Sequence, residues 1–82
     1  MKAFHITVNG KRTALAGVGG QGVLTVMVVL NSNKNDDILH LDVGGLISST
    51  GTHVMWPSPQ IKMGDEIVIK IVDSDTVDEP MD

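Results

Sequence analysis

The segment from Val23 to Leu30 limits the fold of this chain more than any other, because Thr25 is its only polar residue. It is rich in β-branched residues, which lose side-chain freedom in a helix and pack well on a pleated sheet. We therefore predict a strand. Side chains alternate between the two faces of a strand, so this one would be apolar on both faces and would need cover on both.

A hairpin is predicted at the start of the chain. Phe4, Ile6 and Val8 alternate with polar residues, which is typical of a half-buried strand. Asn9-Gly10 follows, and this dipeptide favours a two-residue hairpin turn because both residues tolerate positive φ. The segment from Arg12 to Val18 would return as the second strand.

Three further strands follow the central apolar run. The segment Ile38 to Val43 alternates and would be broken by Gly44-Gly45, and Thr52 to Trp56 forms a short extended piece before two prolines. Glu66 to Val72 gives the clearest alternation, with Ile67, Ile69 and Ile71 predicted to face inward.

The predicted fold is all-β, a small sandwich or open barrel of about six mainly antiparallel strands. Residues 1–73 would form a single domain. Residues 74–82 would form an acidic, solvated C-terminal tail.

Composition narrows the range of partners. The chain of 82 residues carries 6 Lys and Arg against 10 Asp and Glu, which is the opposite of a nucleic-acid binder. The longest apolar run is too short to span a bilayer, and no signal peptide is recognised, so no membrane association is predicted. The chain has no cysteine, which fits a reducing compartment, and we expect a cytoplasmic protein.

A glycine motif lies between the second and third predicted strands. Residues 17–22 match the dinucleotide-binding pattern G-x-G-x-x-G through Gly17, Gly19 and Gly22, with Gly20 inside it, and Asp42 follows where an acid would bind a ribose. Residues 17–25 also resemble the glycine motif of the gamma domain of 2-oxoacid:ferredoxin oxidoreductases. The motif implies a nucleotide- or phosphate-binding unit, with these glycines at the cofactor.

A second interpretation of these residues is a loop between two strands, without a bound nucleotide. A phosphate site of this kind needs a helix N-terminus directly after the glycines, and the following residues have the character of a strand. Glycine-rich hairpin loops are common. We therefore predict a hairpin loop here and no cofactor.

Other candidate sites are weaker. His5, His40 and His53 lie in predicted strands, but each is isolated in sequence and no metal site is predicted. No nucleophile motif or paired carboxylates mark the body of the domain, so no catalytic residue and no enzyme activity are predicted.

The predicted function is that of a small, non-catalytic binding or interaction protein of the inhibitor, immunity or ligand-sequestering type known from bacteria and phages. We expect a homodimer, because one apolar face of the strand at residues 23–30 would otherwise be exposed to water. Another protein or a small ligand is the alternative occupant, unless residues 46–47 fold over that face as a loop. The predicted interface residues are Val23, Met27, Val29, Trp56, Val68 and Val72.

Overall fold

The computed structural model describes residues 1–33, 35 and 37–81, and within them it contains six strands and no helix. It follows that no helix in this part of the chain could cross a membrane. The predicted all-β class is confirmed. The strands are β1 (Lys2–Val8), β2 (Lys11–Gly17), β3 (Gly22–Ser32), β4 (Asp37–Ile47), β5 (Thr52–Trp56) and β6 (Ile67–Asp73).

The strands form two three-stranded antiparallel sheets. Sheet A has the order β2-β1-β6, and sheet B has the order β3-β4-β5. The two sheets pack face to face as an open sandwich. Each sheet has two edge strands, and the four edges differ in how they are protected.

The hairpin of sheet A is confirmed. Asn9 has φ 54° and Gly10 has φ 79°, and Val8 pairs with Lys11 across the turn. Two consecutive positive φ values define the type I′ turn, whose twist matches that of the flanking strands. The Asn9 backbone N–H also donates to the Glu66 carbonyl, which ties the turn to the segment before β6.

The predicted break of the fourth strand at Gly44-Gly45 is wrong, because β4 continues to Ile47. The neighbouring strands come very close at these glycines. A Cβ atom on Gly45 would lie 2.9 Å from the Val23 carbonyl oxygen, and one on Gly44 would lie 3.2 Å from the Val54 carbonyl oxygen. Here the glycines permit close approach within a sheet rather than ending a strand.

The core lies between the inner faces of the two sheets. Sheet A contributes Ile6 and small residues of β2, and sheet B contributes Trp56 and two aliphatic side chains of β4. Ile61, from the segment between β5 and β6, closes one side. The buried residues of this cluster are Ile6, Ala14, Ala16, Leu41, Val43, Trp56 and Ile61.

The residues after β6 are not the solvated tail that we predict from the sequence. Residues 74–81, here called the strap, run from sheet A to sheet B, while Asp82 lies outside the described residues. The Asp78 backbone N–H donates to the Leu15 carbonyl oxygen over 2.8 Å, and the Met81 N–H donates to the Met55 carbonyl oxygen over 2.6 Å. The strap therefore joins the edge of β2 to the edge of β5.

The opposite side of the sandwich is open. Ile67, Ile69 and Ile71 pair with Val8, Ile6 and Phe4, so they do lie on the inner face of sheet A, as predicted. Ile71 is nevertheless 78% exposed, because sheet B does not extend over the end of β6. The open side is bordered by the edges of β6 and β3.

Candidate interaction surface

Strand β3 is partly exposed on both of its faces. Val23 and Met27 on the outer face are each 53% exposed, and Val28 and Leu30 on the inner face are 50% and 54% exposed. Leu24 and Val26, nearer the start of the strand, pack against the core. Because β3 lies at the edge of sheet B, only its first half is covered by sheet A.

The outer face of sheet B is almost free of charge. The pairing register places β3, β4 and β5 side chains in rows across it, and Asp42 is the only carboxylate among the residues that the structure describes there. Neither Lys nor Arg lies on the described part of this face. Its residues are Val23, Thr25, Met27, Val29, Asn31, Ile38, His40, Asp42, Gly44, Leu46, His53 and Met55.

Three of the four sheet edges are protected. The strap lies against β2, which also begins with two basic residues. Strand β5 is short, is bridged by Met81 and is followed by Pro57. Strand β6 carries Lys70 at its centre. Covers, bridges, short length and central lysines are the usual means by which proteins prevent edge strands from pairing with other chains.

The edge of β3 has none of these protections. The strand has 11 residues, and from Gly22 to Ser32 it contains no charged residue and no proline. Among the described residues, no backbone hydrogen bond reaches its outer edge. A long, uncharged, apolar edge is a site at which another strand pairs readily.

The free backbone groups on this edge can be assigned by alternation. The Ser48 N–H donates to the Gln21 carbonyl oxygen, so Gln21 and Ser48 form a hydrogen-bonded pair at the end of the β3–β4 ladder. Hydrogen-bonded and non-bonded pairs alternate along an antiparallel ladder. Odd-numbered residues of β3 therefore bond to β4. The even-numbered residues point their N–H and C=O groups outward: Gly22, Leu24, Val26, Val28, Leu30 and Ser32.

The structure divides the predicted interface residues into three groups. Val23, Met27 and Val29 share the outer face of sheet B. Trp56 is only 2% exposed and fills the core, so it cannot anchor the edge of a surface patch. Val68 and Val72 pair with Thr7 and Ala3 and lie on the outer face of sheet A, so they do not extend the β3 patch.

Residues 46–47 do not fold over the β3 face as a loop. Both lie in β4, where Leu46 pairs with Val23 and belongs to the same apolar face. Sequence reasoning missed Ile38, Leu46 and Met55 as members of this surface. The alternation of residues along β4 could have indicated Ile38 and Leu46, because both lie at even-numbered positions of this strand, which continues through Gly44-Gly45.

The glycine loop joins the two sheets and is not the hairpin loop that we predict. Strand β2 belongs to sheet A and β3 to sheet B, so the strands on either side of residues 18–21 do not pair. Gly20 has φ 74°, whereas Gly17 is buried at the end of β2. Gly22 begins a strand, so the helix N-terminus that a dinucleotide motif requires does not follow it.

The three histidines do not converge. His5 is on sheet A, whereas His40 and His53 lie on sheet B. His53 pairs with Leu46, which is six positions from His40 along β4, a separation of about 20 Å. In the described part of the chain no three His, Cys, Asp or Glu side chains lie close enough to hold a metal ion.

The chain exposes more surface than a monomer of its size. A folded monomer of 8.7 kDa is expected to expose about 4,700 Å², whereas this chain exposes 5811 Å². Its radius of gyration is 13.7 Å, against about 12 Å expected for this length. The excess is about 1,100 Å², and each partner in a standard protein interface covers about 800 Å².

Comparison of the chain with protein-family models, with curated proteins and with solved structures finds no match.

Proposed function

We propose that this chain is a small, non-catalytic interaction protein that works as a homodimer through a surface centred on β3. One observation carries the proposal. The uncovered apolar area on both faces of β3 coincides with a total surface that exceeds monomer expectation by about 1,100 Å². Burial of such an area is the main source of free energy in protein association.

The weak core of the single chain supports the same proposal. Three of the eight buried hydrophobic residues in the described part of the chain are alanines, which contribute little apolar area. Domains of this length commonly need a disulfide, a metal or a partner, and this chain has no cysteine. A second chain is one stabiliser of that kind, and the exposed apolar faces of β3 favour it. The proposal includes a reducing, cytoplasmic setting, which the absence of cysteine also supports.

The proposed role is of the inhibitor, immunity or ligand-sequestering type, in which a small domain presents a binding surface and does no chemistry. The glycine loop has no part in it. A second surface for a target protein would remain available on the dimer, because the outer face of sheet A lies on the opposite side of the sandwich from sheet B.

The mass of the purified chain in solution tests the proposal. Size-exclusion chromatography with light scattering at micromolar concentration should give twice the chain mass of 8.7 kDa. Val28→Lys should give the mass of one chain, because Val28 is half-exposed beside apolar side chains on the inner face of β3, where a buried ammonium group without a partner opposes association. Val68→Lys is the matched control, since Val68 is exposed on sheet A, and it should leave the dimer intact. A wild-type mass near 8.7 kDa would contradict the proposal.

A further inference from the structure

We infer that the dimer forms by edge-to-edge pairing of β3 with β3 of a second copy, which merges the two B sheets into one continuous six-stranded sheet. This inference rests on the proposed function and adds the geometry of the interface. It identifies the occupant of the β3 edge as the same strand, running antiparallel across a two-fold axis.

The first argument is the contrast among the four edges. Strands β2, β5 and β6 are each covered, bridged or marked by a charged residue. Only β3 combines an 11-residue length with a complete lack of charge and proline. An edge left in this state in a water-soluble monomer would pair with any available strand. A second β3 is always present at the same concentration as the first.

The second argument is the backbone. The even-numbered residues of β3 hold free N–H and C=O groups that face away from β4. Antiparallel pairing of two identical edges satisfies these groups on both copies at once, because a two-fold interface matches the same surface on each chain. The register that uses all 11 residues pairs Gly22 with Ser32 and puts Met27 at the two-fold axis.

The third argument concerns side chains on both faces. In this register Leu24 lies opposite Leu30 and Val26 lies opposite Val28 of the second copy, on the inner faces. On the outer face, each Met27 lies opposite its counterpart. One contact therefore covers the half-exposed side chains of both faces of β3, which a contact on one face alone would not do.

Charge distinguishes this arrangement from face-to-face packing of the two B sheets. Asp42 pairs with Met27 and lies in the middle of the outer face, and no Lys or Arg accompanies it on the described part of that face. Face-to-face packing would bury a carboxylate from each copy without a Lys or Arg to pair with it, which is unfavourable. Edge pairing leaves Asp42 one strand away from the interface and in contact with water.

Cross-linking tests the register directly, because the chain has no cysteine of its own. Residues opposite each other in a non-bonded antiparallel pair have Cα atoms about 4.5 Å apart, which a disulfide can span. Met27→Cys should give a disulfide-linked dimer on mild oxidation. Val23→Cys, on the same face of the same strand, is the control. Its counterpart would lie about 27 Å away in this register, so the chain should stay unlinked.

Hydrogen exchange separates this inference from the proposed function. Amides of Leu24, Val26, Val28 and Leu30 should gain protection at concentrations at which the dimer forms, and those of Leu24, Val26 and Leu30 should exchange rapidly in Val28→Lys. The amides of Val23, Thr25 and Val29 bond to β4 and serve as internal controls. A dimer in which the even-numbered amides stay unprotected would overturn edge pairing alone. A monomer would overturn both proposals, and an open-ended series of larger masses would overturn the closed two-fold dimer.

Discussion

The indole Nε1 of Trp56 donates a 2.7 Å hydrogen bond to the backbone carbonyl oxygen of Asp78, so the largest core side chain is tied to the strap. The Asp78 carboxylate accepts two further bonds, from the Leu15 N–H at 2.9 Å and from the Arg12 guanidinium at 2.7 Å. Asp78 therefore links the core of sheet B to the edge of sheet A. Both bonds to its carboxylate are lost if that side chain is shortened.

We predict that Asp78→Ala lowers the free energy of unfolding by about 1–2 kcal/mol, because the Leu15 N–H loses its partner at a partly buried position. The contribution of the exposed Arg12 pair should be small. Urea denaturation followed by Trp56 fluorescence would measure the change. Asp75→Ala removes an exposed carboxylate from the same strap and should leave the midpoint unchanged. Equal midpoints for the two variants would show that the hydrogen bonds to the Asp78 carboxylate do not stabilise the fold.

The first hairpin provides a second test. Gly10 has φ 79°, a value that β-branched residues resist, although a Cβ atom there would contact nothing within 4 Å. Gly10→Val should therefore destabilise the fold by about 1 kcal/mol or more through backbone strain alone. Gly10→Asn is the control, because Asn tolerates this region, and it should cost less. A thermal melt of Gly10→Val that matches wild type would contradict the type I′ turn.

The parts of the fold that depend on local patterns could be predicted from the sequence. Asn9-Gly10 determines its own turn, and the alternation of Phe4, Ile6 and Val8 identifies the inner face of β1. The β-branched run after Gly22 forms a strand because its side chains disfavour a helix. In each case the physical cause acts within a few neighbouring residues.

The parts that depend on distant contacts could not be predicted. The orientation of Trp56 is determined by Asp78, 22 positions away, and nothing within residues 52–56 indicates it. The sheet to which Val68 and Val72 belong depends on pairing of β6 with β1 from the other end of the chain. The β3 face could be identified because it lies within one strand, whereas Met55 joins that face only through the pairing of β5 with β4.

Substitutions at two glycines of the loop before β3 can distinguish a role in packing from a role in ligand binding. A Cβ atom on Gly22 would lie 2.5 Å from the Leu46 carbonyl oxygen, whereas one on Gly19 would contact nothing within 4 Å. We predict that Gly22→Ala destabilises the fold by about 1–3 kcal/mol through overpacking. Gly19→Ala should change stability by less than about 0.5 kcal/mol. Thermal melts of both variants would measure this difference.

The same loop should not respond to nucleotides. We predict that NAD, FAD or ATP at millimolar concentration leaves the melting temperature of the wild-type chain unchanged. A ligand at 100 times its dissociation constant would stabilise the fold by about 2.7 kcal/mol, which a melt detects readily. A clear rise with any of the three would revive the nucleotide reading of residues 17–22, and Gly19→Ala would then show whether the loop is responsible.

Acid should weaken the link between the first turn and the segment before β6. The Asn9 side-chain amide donates a 2.9 Å hydrogen bond to Asp65, and the Lys62 backbone N–H donates another at 2.8 Å, so the pKa of Asp65 lies below its usual value of 3.8. A lowered pKa in the folded state means that the unfolded chain binds a proton first as pH falls. The stabilisation is therefore complete above pH 3.8 and is lost as pH falls through the lower folded value.

We therefore predict that Asp65→Asn melts at a lower temperature than wild type at pH 6, and that this difference shrinks as the pH falls below 3.8. Subtracting the two melts at each pH removes the contribution of the other carboxylates, which the variant retains. Asn9→Gly keeps the positive φ of the turn but removes the strongest donor to Asp65, so its own melting temperature should fall less steeply with acid than that of wild type. If Asp65→Asn and wild type differ by the same amount at pH 3 and pH 6, the ionised form of Asp65 does not contribute to the stability of the fold, and the turn is held to the segment before β6 by the hydrogen bonds between Asn9 and Glu66.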